Sequence, residues 1–539
     1  MTGYRGFGVV AAVLAILAPM HSAFAAGATR PRPSGPEELV RTTAGLVRGQ
    51  VHEDHRLFQG IPYGAAPTGP LRWKPARKPE SWTGVRDATR PGASCPQLPA
   101  VFGGVGSTTE DCLFLNVTTP RVGSNGPAKP VLVWIHGAGT IGSGDVFDAS
   151  RLAAQGDVIV VTINYRMGIF GAFAHPELKD SGTIGLEDQR TALRWVRDNI
   201  DAFGGNPRNV TLFGVSFGAT AAVAHTLSPR SRGLFDKAIL HSAFPTQDAP
   251  DGAIYPFLGA LPVYGWKPTA EATELGSQMA AAFGCHGAHQ LDCLRGKSVE
   301  ELLTYPQGMS IFQTYAYGNQ ELPGLPEDLL RAGRFAHVPI LAGATKDEHR
   351  TFVAIRELLG YRIEDADYPA VLSQAFGDLA DEVAAEYPLS EYPNARVAFA
   401  SVMTDRMWAL KTREYLDLYG AENRVYFYEF ADEFPPPEFP FPEVLPSGAY
   451  HNSDISYLFR APAFEAQLTA AQRELSDSMI AYWSSFAWSG KPTAAGQPEW
   501  PRYDTTGEVL SLAPGPGGIG PVDYAEEHKL AFWRSITGS

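Results

Sequence analysis

Residues 211–220 read Thr-Leu-Phe-Gly-Val-Ser-Phe-Gly-Ala-Thr, and the fold turns on how Gly214-Val215-Ser216-Phe217-Gly218 is read. An apolar run, Val210 to Phe213, enters this G-x-S-x-G pattern, and an Ala-rich, helix-like run, Ala219 to His225, leaves it. A strand-to-helix turn this tight has a steric need for glycine on both sides of the serine. It lifts the Ser216 hydroxyl out of the sheet edge and aims the following backbone N–H at the same spot. Ser216 is therefore the candidate nucleophile.

Working outward, apolar, β-branched runs recur between helical stretches. They are Val131–Ile135, Val158–Ile163, Val210–Phe213, Ala238–Leu240, Ile340–Ala342 and Val425–Tyr428. Continuously apolar strands separated by helices predict a mainly parallel central sheet covered on both faces, an α/β architecture. Leu193, Val196, Ile200 and Phe203 predict a helix over 187–203, stopped by the turn Gly204-Gly205-Asn206-Pro207. Residues 245–335 and 355–420 are mixed and helix-leaning, and six prolines between 435 and 446 exclude regular structure there. The expected organisation is one catalytic domain, 26–539, with cap or rim insertions near 245–335 and 355–446.

The N-terminus carries Arg5, an apolar run from Phe7 to Ala18, and Ala23-Phe24-Ala25. That order describes a secretory signal peptide over 1–25, cleaved near Ala25, so the mature chain is expected to be secreted or periplasmic. No later stretch is long and apolar enough to span a bilayer. Hydrophobic residues make up 44% of the chain, enough for a large core, and the net charge of −14 argues against a nucleic-acid partner. The four cysteines, Cys95, Cys112, Cys285 and Cys293, allow three disulfide connectivities, of which sequential pairing closes two short loops and is the simplest. His286 and His289 beside Cys285 do not have metal-ligand spacing, and no metal or cofactor is expected.

A serine hydroxyl needs a base, an acid to orient that base, and donors for the oxyanion. The Val131–Ile135 strand ends in His136-Gly137-Ala138-Gly139-Thr140, a small-residue loop whose N–H groups can approach a substrate oxygen. Acid and base should follow the serine in that order. The segment 343–349 offers Asp347 and Glu348 as acids, and His451, His349 and His337 compete as the base.

The whole pattern resembles the type-B carboxylesterase and cholinesterase family of α/β-hydrolases. The residues that carry this are 57–75 (LFQGIPYGAAPTGPLRWKP), 110–117 (EDCLFLNV), 131–139 and 185–219, then Cys293-Leu294-Arg295, Lys346-Asp347-Glu348, His451 and Trp500-Pro501-Arg502-Tyr503. The resemblance implies an α/β-hydrolase fold and hydrolysis of a small-molecule ester through an acyl-enzyme, without a cofactor. It implies a triad of Ser216, Glu348 and His451, oxyanion donors at the amides of Ala138, Gly139 and Phe217, and Ser242 as a neighbour that orients the triad. It also implies the bridges Cys95–Cys112 and Cys285–Cys293.

Departures from the family pattern carry information. Val215 stands where cholinesterases have glutamate, and the 95–112 loop has no tryptophan, so choline esters are not expected. Phe217 replaces a small residue, Ala138 replaces a glycine, and Thr140 stands where an aromatic is frequent. A lipase acting on emulsified acylglycerols, and a non-catalytic binding or adhesion protein of the same fold, share much of the pattern. Uptake of an organophosphate separates the second from an enzyme. Neither the natural ester nor the oligomeric state is legible.

Overall fold

The computed structural model describes residues 36–99, 105–121, 127–437, 440–460 and 468–538; the leader expected over 1–25 lies outside them. Among the described residues, eleven strands form the central sheet. They are β1 (Gln50–Val51), β2 (His55–Pro62), β3 (Phe114–Pro120), β4 (Lys129–Ile135), β5 (Ile159–Ile163), β6 (Gly205–Val215), β7 (Lys237–His241), β8 (Ile340–Thr345), β9 (Val425–Phe430), β10 (Val509–Leu512) and β11 (Ile519–Val522). Their order across the sheet is β11-β10-β9-β8-β7-β6-β4-β5-β3-β2-β1. Neighbours from β10 to β5 are parallel. The strands outside that run pair antiparallel.

The apolar runs are continuous because the sheet has a core on each face. On β4, Val131, Val133 and Ile135 enter one cluster while Leu132 and Trp134 enter the other, and all five are fully buried. Leu212 and Phe213 on β6 divide in the same way. Successive strand residues point to opposite faces, so a strand buried on both sides loses the polar alternation of a surface strand. Helices α1 (Ile184–Asn199) and α2 (Phe217–Leu227) supply the first cluster, and α3 (Ala470–Ser489) the second.

One expectation needs correction. The helix over 187–203 ends in a 3-10 turn at Ile200–Phe203, and only Gly204 (φ +92°) makes the reversal. Gly205 already pairs with Lys129 as the first residue of β6. The region 355–446 encloses β9, the core strand expected at Val425–Tyr428, with a helical part before it and the proline-rich part after it. The 245–335 insertion is mainly helical where it is regular. It contains a parallel ribbon, Trp266–Pro268 against Tyr315–Tyr317, whose partners lie too far apart in sequence for any local signal. Disulfides join Cys95 to Cys112 and Cys285 to Cys293, with Cα separations of 4.9 and 5.7 Å. Among the described residues, no cluster of His, Cys, Asp and Glu could hold a metal ion, and no helix is long and apolar enough to cross a membrane.

Candidate active site

Ser216 links β6 to α2 with φ +56° and ψ −123°, a conformation that L residues rarely adopt. Holding a residue there costs about 1–3 kcal/mol, which the surrounding packing must offset. The packing is visible at the two glycines. A Cβ on Gly218 would lie 2.1 Å from the Ile135 carbonyl oxygen and 2.5 Å from that of His136. One on Gly214 would lie 2.6 Å from the Gly218 carbonyl carbon. Only backbone fits at either position. The Ser216 N–H donates to the His241 carbonyl at 2.8 Å, which ties the turn to β7.

The other two candidates reach Ser216 from loops that follow β8 and β9. Glu348 is fully buried and His451 nearly so (5% exposed). One Glu348 oxygen accepts the Thr345 N–H at 2.9 Å, and the other faces His451 Nδ1 within hydrogen-bond contact. His451 Nε2 lies 2.8 Å from Ser216 Oγ. A carboxylate at Nδ1 requires the ring proton there, so Nε2 is left as the acceptor for the serine O–H. Trp408 and Phe352 fix the ring from the side, at centroid distances of 4.8 and 5.4 Å.

The residues that competed in the sequence lie elsewhere. Asp347 accepts from Arg350 at 2.7 Å and from the Ala449 N–H at 3.0 Å, joining the acid loop to the histidine loop without touching the imidazole. His349 is buried, with Nε2 3.0 Å from the Ala253 carbonyl, and burial lowers its pKa to about 3. His337 is exposed beside Glu422.

The loop after β4 is shaped by its carbonyls. Ala138 has φ +68°, and the Gly139 N–H donates to the Gly137 carbonyl at 3.0 Å. This is the strained, positive-φ form of the γ-turn. The conformation favours glycine, yet alanine occupies its centre. Tyr165 O–H donates to the His136 carbonyl at 2.7 Å, and the Gly168 N–H to that of Gly139 at 3.0 Å. The Phe217 N–H is the first of α2 and has no acceptor within the helix, so it carries the positive end of the helix dipole toward the site. The Phe217 ring is buried (3% exposed), packed on Tyr315 and so close to Gly139 that a Cβ there would lie 2.8 Å from it.

Ser242 is buried with φ +49°, and its Oγ bonds to no described group, the triad included. A buried pair that the sequence reading passed over lies beside it. His241 Nδ1 is 2.6 Å from Asp454 Oδ2, which also accepts from Tyr428 O–H at 2.7 Å, while Trp483 Nε1–H donates to His241 Nε2 at 2.8 Å. Nothing local in Leu240-His241-Ser242 points to a residue more than two hundred positions away.

The doubly covered parallel sheet and the serine turn at the end of its strand define an α/β-hydrolase. The carboxylesterase family model matches residues 36–533, and the chain belongs to that family. A cocaine esterase of Oryctolagus cuniculus is 34% identical over 92% of this chain and 95% of its own length. An acylcarnitine hydrolase of Rattus norvegicus is 33% identical over 92% of this chain and 90% of its own length. A para-nitrobenzyl esterase of Bacillus subtilis (strain 168) is 32% identical over 88% of this chain and 94% of its own length. The chain is accordingly a carboxylic ester hydrolase.

Proposed function

We propose that this carboxylesterase cleaves small-molecule esters through an acyl-enzyme on Ser216, with His451 as general base and Glu348 as the acid that orients it. The observation that carries the reading is the unbroken line Glu348–His451–Ser216, with Nε2 2.8 Å from Oγ. His451 takes the proton as Ser216 Oγ attacks the carbonyl carbon, and returns it to the departing alcohol. Water then attacks the acyl-enzyme with the same imidazole as base, releasing the acid and restoring Ser216. The Phe217 amide meets the oxyanion directly. The amides of Ala138 and Gly139 complete the hole, Gly139 sharing its N–H between the Gly137 carbonyl and the developing charge without turning its peptide.

The domain reading and the cell address belong to the same proposal. A central sheet that draws strands from both ends of the described chain supports one catalytic domain with rim insertions. Two disulfides and the leader-like sequence support export after cleavage near Ala25.

The test is Ser216→Ala. It should lose at least about 1000-fold in kcat, take up no fluorophosphonate and keep its thermal midpoint. An alanine variant that turns over esters at the native rate sinks the triad assignment.

A further inference from the structure

Three side chains of the 245–335 insertion, all within Met309–Tyr315, reach the oxyanion region from different directions. Met309 packs on Gly168, where a Cβ would lie 2.6 Å from its Cε, and the Gly168 N–H holds the Gly139 carbonyl. Tyr315 packs on the Phe217 ring at a centroid distance of 5.2 Å. Gln313 Nε2 donates to the Ala138 carbonyl at 2.5 Å. The segment is itself anchored, because Tyr315 pairs with Trp266 in the ribbon and Lys267 Nζ donates to the Ile311 carbonyl at 2.6 Å.

The contact at Gln313 has a directional consequence. A peptide unit is planar and trans, so the Ala138 carbonyl and the Gly139 N–H point opposite ways from one rigid plane. Whatever grips that carbonyl sets where the N–H points. The hydrolase body grips the carbonyls on either side, through Tyr165 at His136 and Gly168 at Gly139. The carbonyl of Ala138, the strained residue, is gripped from the insertion.

We propose that Gln313 is a positioning residue for the oxyanion hole, holding the Ala138–Gly139 peptide against the pull of Ala138 toward negative φ. The inference rests on the reading of the Ala138, Gly139 and Phe217 amides as oxyanion donors. It makes the rim insertion part of the apparatus that sets the rate, beyond any part it takes in enclosing substrate.

The test compares Gln313→Met, which removes the donor, with Gln313→Glu, which keeps the shape but presents only acceptors. Each is assayed on an ester and on the matching thionoester, whose sulfur accepts hydrogen bonds weakly. Native enzyme should favour the oxygen ester strongly. In both variants kcat on the oxygen ester should fall about 10- to 30-fold, less than loss of a whole donor, with KM within about twofold. The preference for oxygen over sulfur should shrink by a similar factor. If one variant does not fold, the other carries the test. Folded variants that keep the native kcat, or lose kcat while keeping the native oxygen preference, overturn the proposal. Native enzyme without any oxygen preference overturns the donor reading beneath it.

Discussion

Asp454 and His241 form a fully buried hydrogen-bonded pair, 2.6 Å apart, that joins the loop bearing His451 to the strand that braces Ser216. Asp454 lies three residues beyond His451, and the His241 carbonyl accepts the Ser216 N–H. Burial and the neighbouring carboxylate hold the Tyr428 phenol well above its ordinary pKa, so it stays protonated and donates to Asp454. Asp454→Ala would leave two donors buried without an acceptor, a loss of about 2–5 kcal/mol. Asp454→Asn keeps an acceptor oxygen and should cost clearly less. Urea denaturation of the two variants measures this, and equal losses under about 1 kcal/mol would remove the pair's structural role.

Glu348→Gln tests the proposed role of Glu348 in setting the proton position on His451. An amide N–H turned toward His451 Nδ1 forces the ring proton to Nε2, where Ser216 needs an acceptor. The expected drop in kcat is about 10³- to 10⁴-fold, with the thermal midpoint within a few degrees of native. A variant within tenfold of native would mean that Glu348 does not fix the tautomer.

Stability should fall on both sides of neutrality, for opposite reasons. His528 is buried between Asp405 and Glu429; burial opposes its charge, but the two carboxylates outweigh that and raise its pKa from 6.5 to about 10. A raised folded value means that its contribution is complete below 6.5, declines as the pH rises, and is gone above about 10. Its full size is a few kcal/mol. His349, His225 and His136 have pKa values lowered by burial to about 3, 3 and 4. They cost nothing above 6.5 and progressively favour unfolding as the pH falls below it. Urea midpoints between pH 4 and 10.5 should trace this dome, and His528→Gln should flatten its alkaline side. An unchanged alkaline limb would show that His528 is not the group responsible.

The parts of the molecule that were legible in sequence are those with local causes. The runs of β4 to β9 announce a sheet buried on both faces because each strand carries its own apolar record. Gly214 and Gly218 mark the turn at Ser216 because backbone atoms occupy the space a Cβ would need. Choosing Glu348 over Asp347 needed the family likeness, since both carboxylates follow the same strand. What stayed hidden arises between distant segments. Gln313 reaches Ala138 across 175 positions, and the Asp454–His241 pair spans 213. The turn Thr404–Ala409 that carries Trp408 to His451 is π-helical, and an apolar helical pattern hides that irregularity.

The contact of Gly218 with the Ile135 and His136 carbonyls separates what mutagenesis can reshape from what it cannot. Main chain rests on main chain there, which fixes the spacing between the turn that bears Ser216 and the loop that begins at His136. Libraries built to broaden the range of accepted esters should spare 214 and 218 entirely and diversify the rim. Within the rim they should leave 309, 313 and 315 alone, because these side chains touch Gly168, Ala138 and Phe217, and substitutions there are expected to alter turnover as well as selectivity.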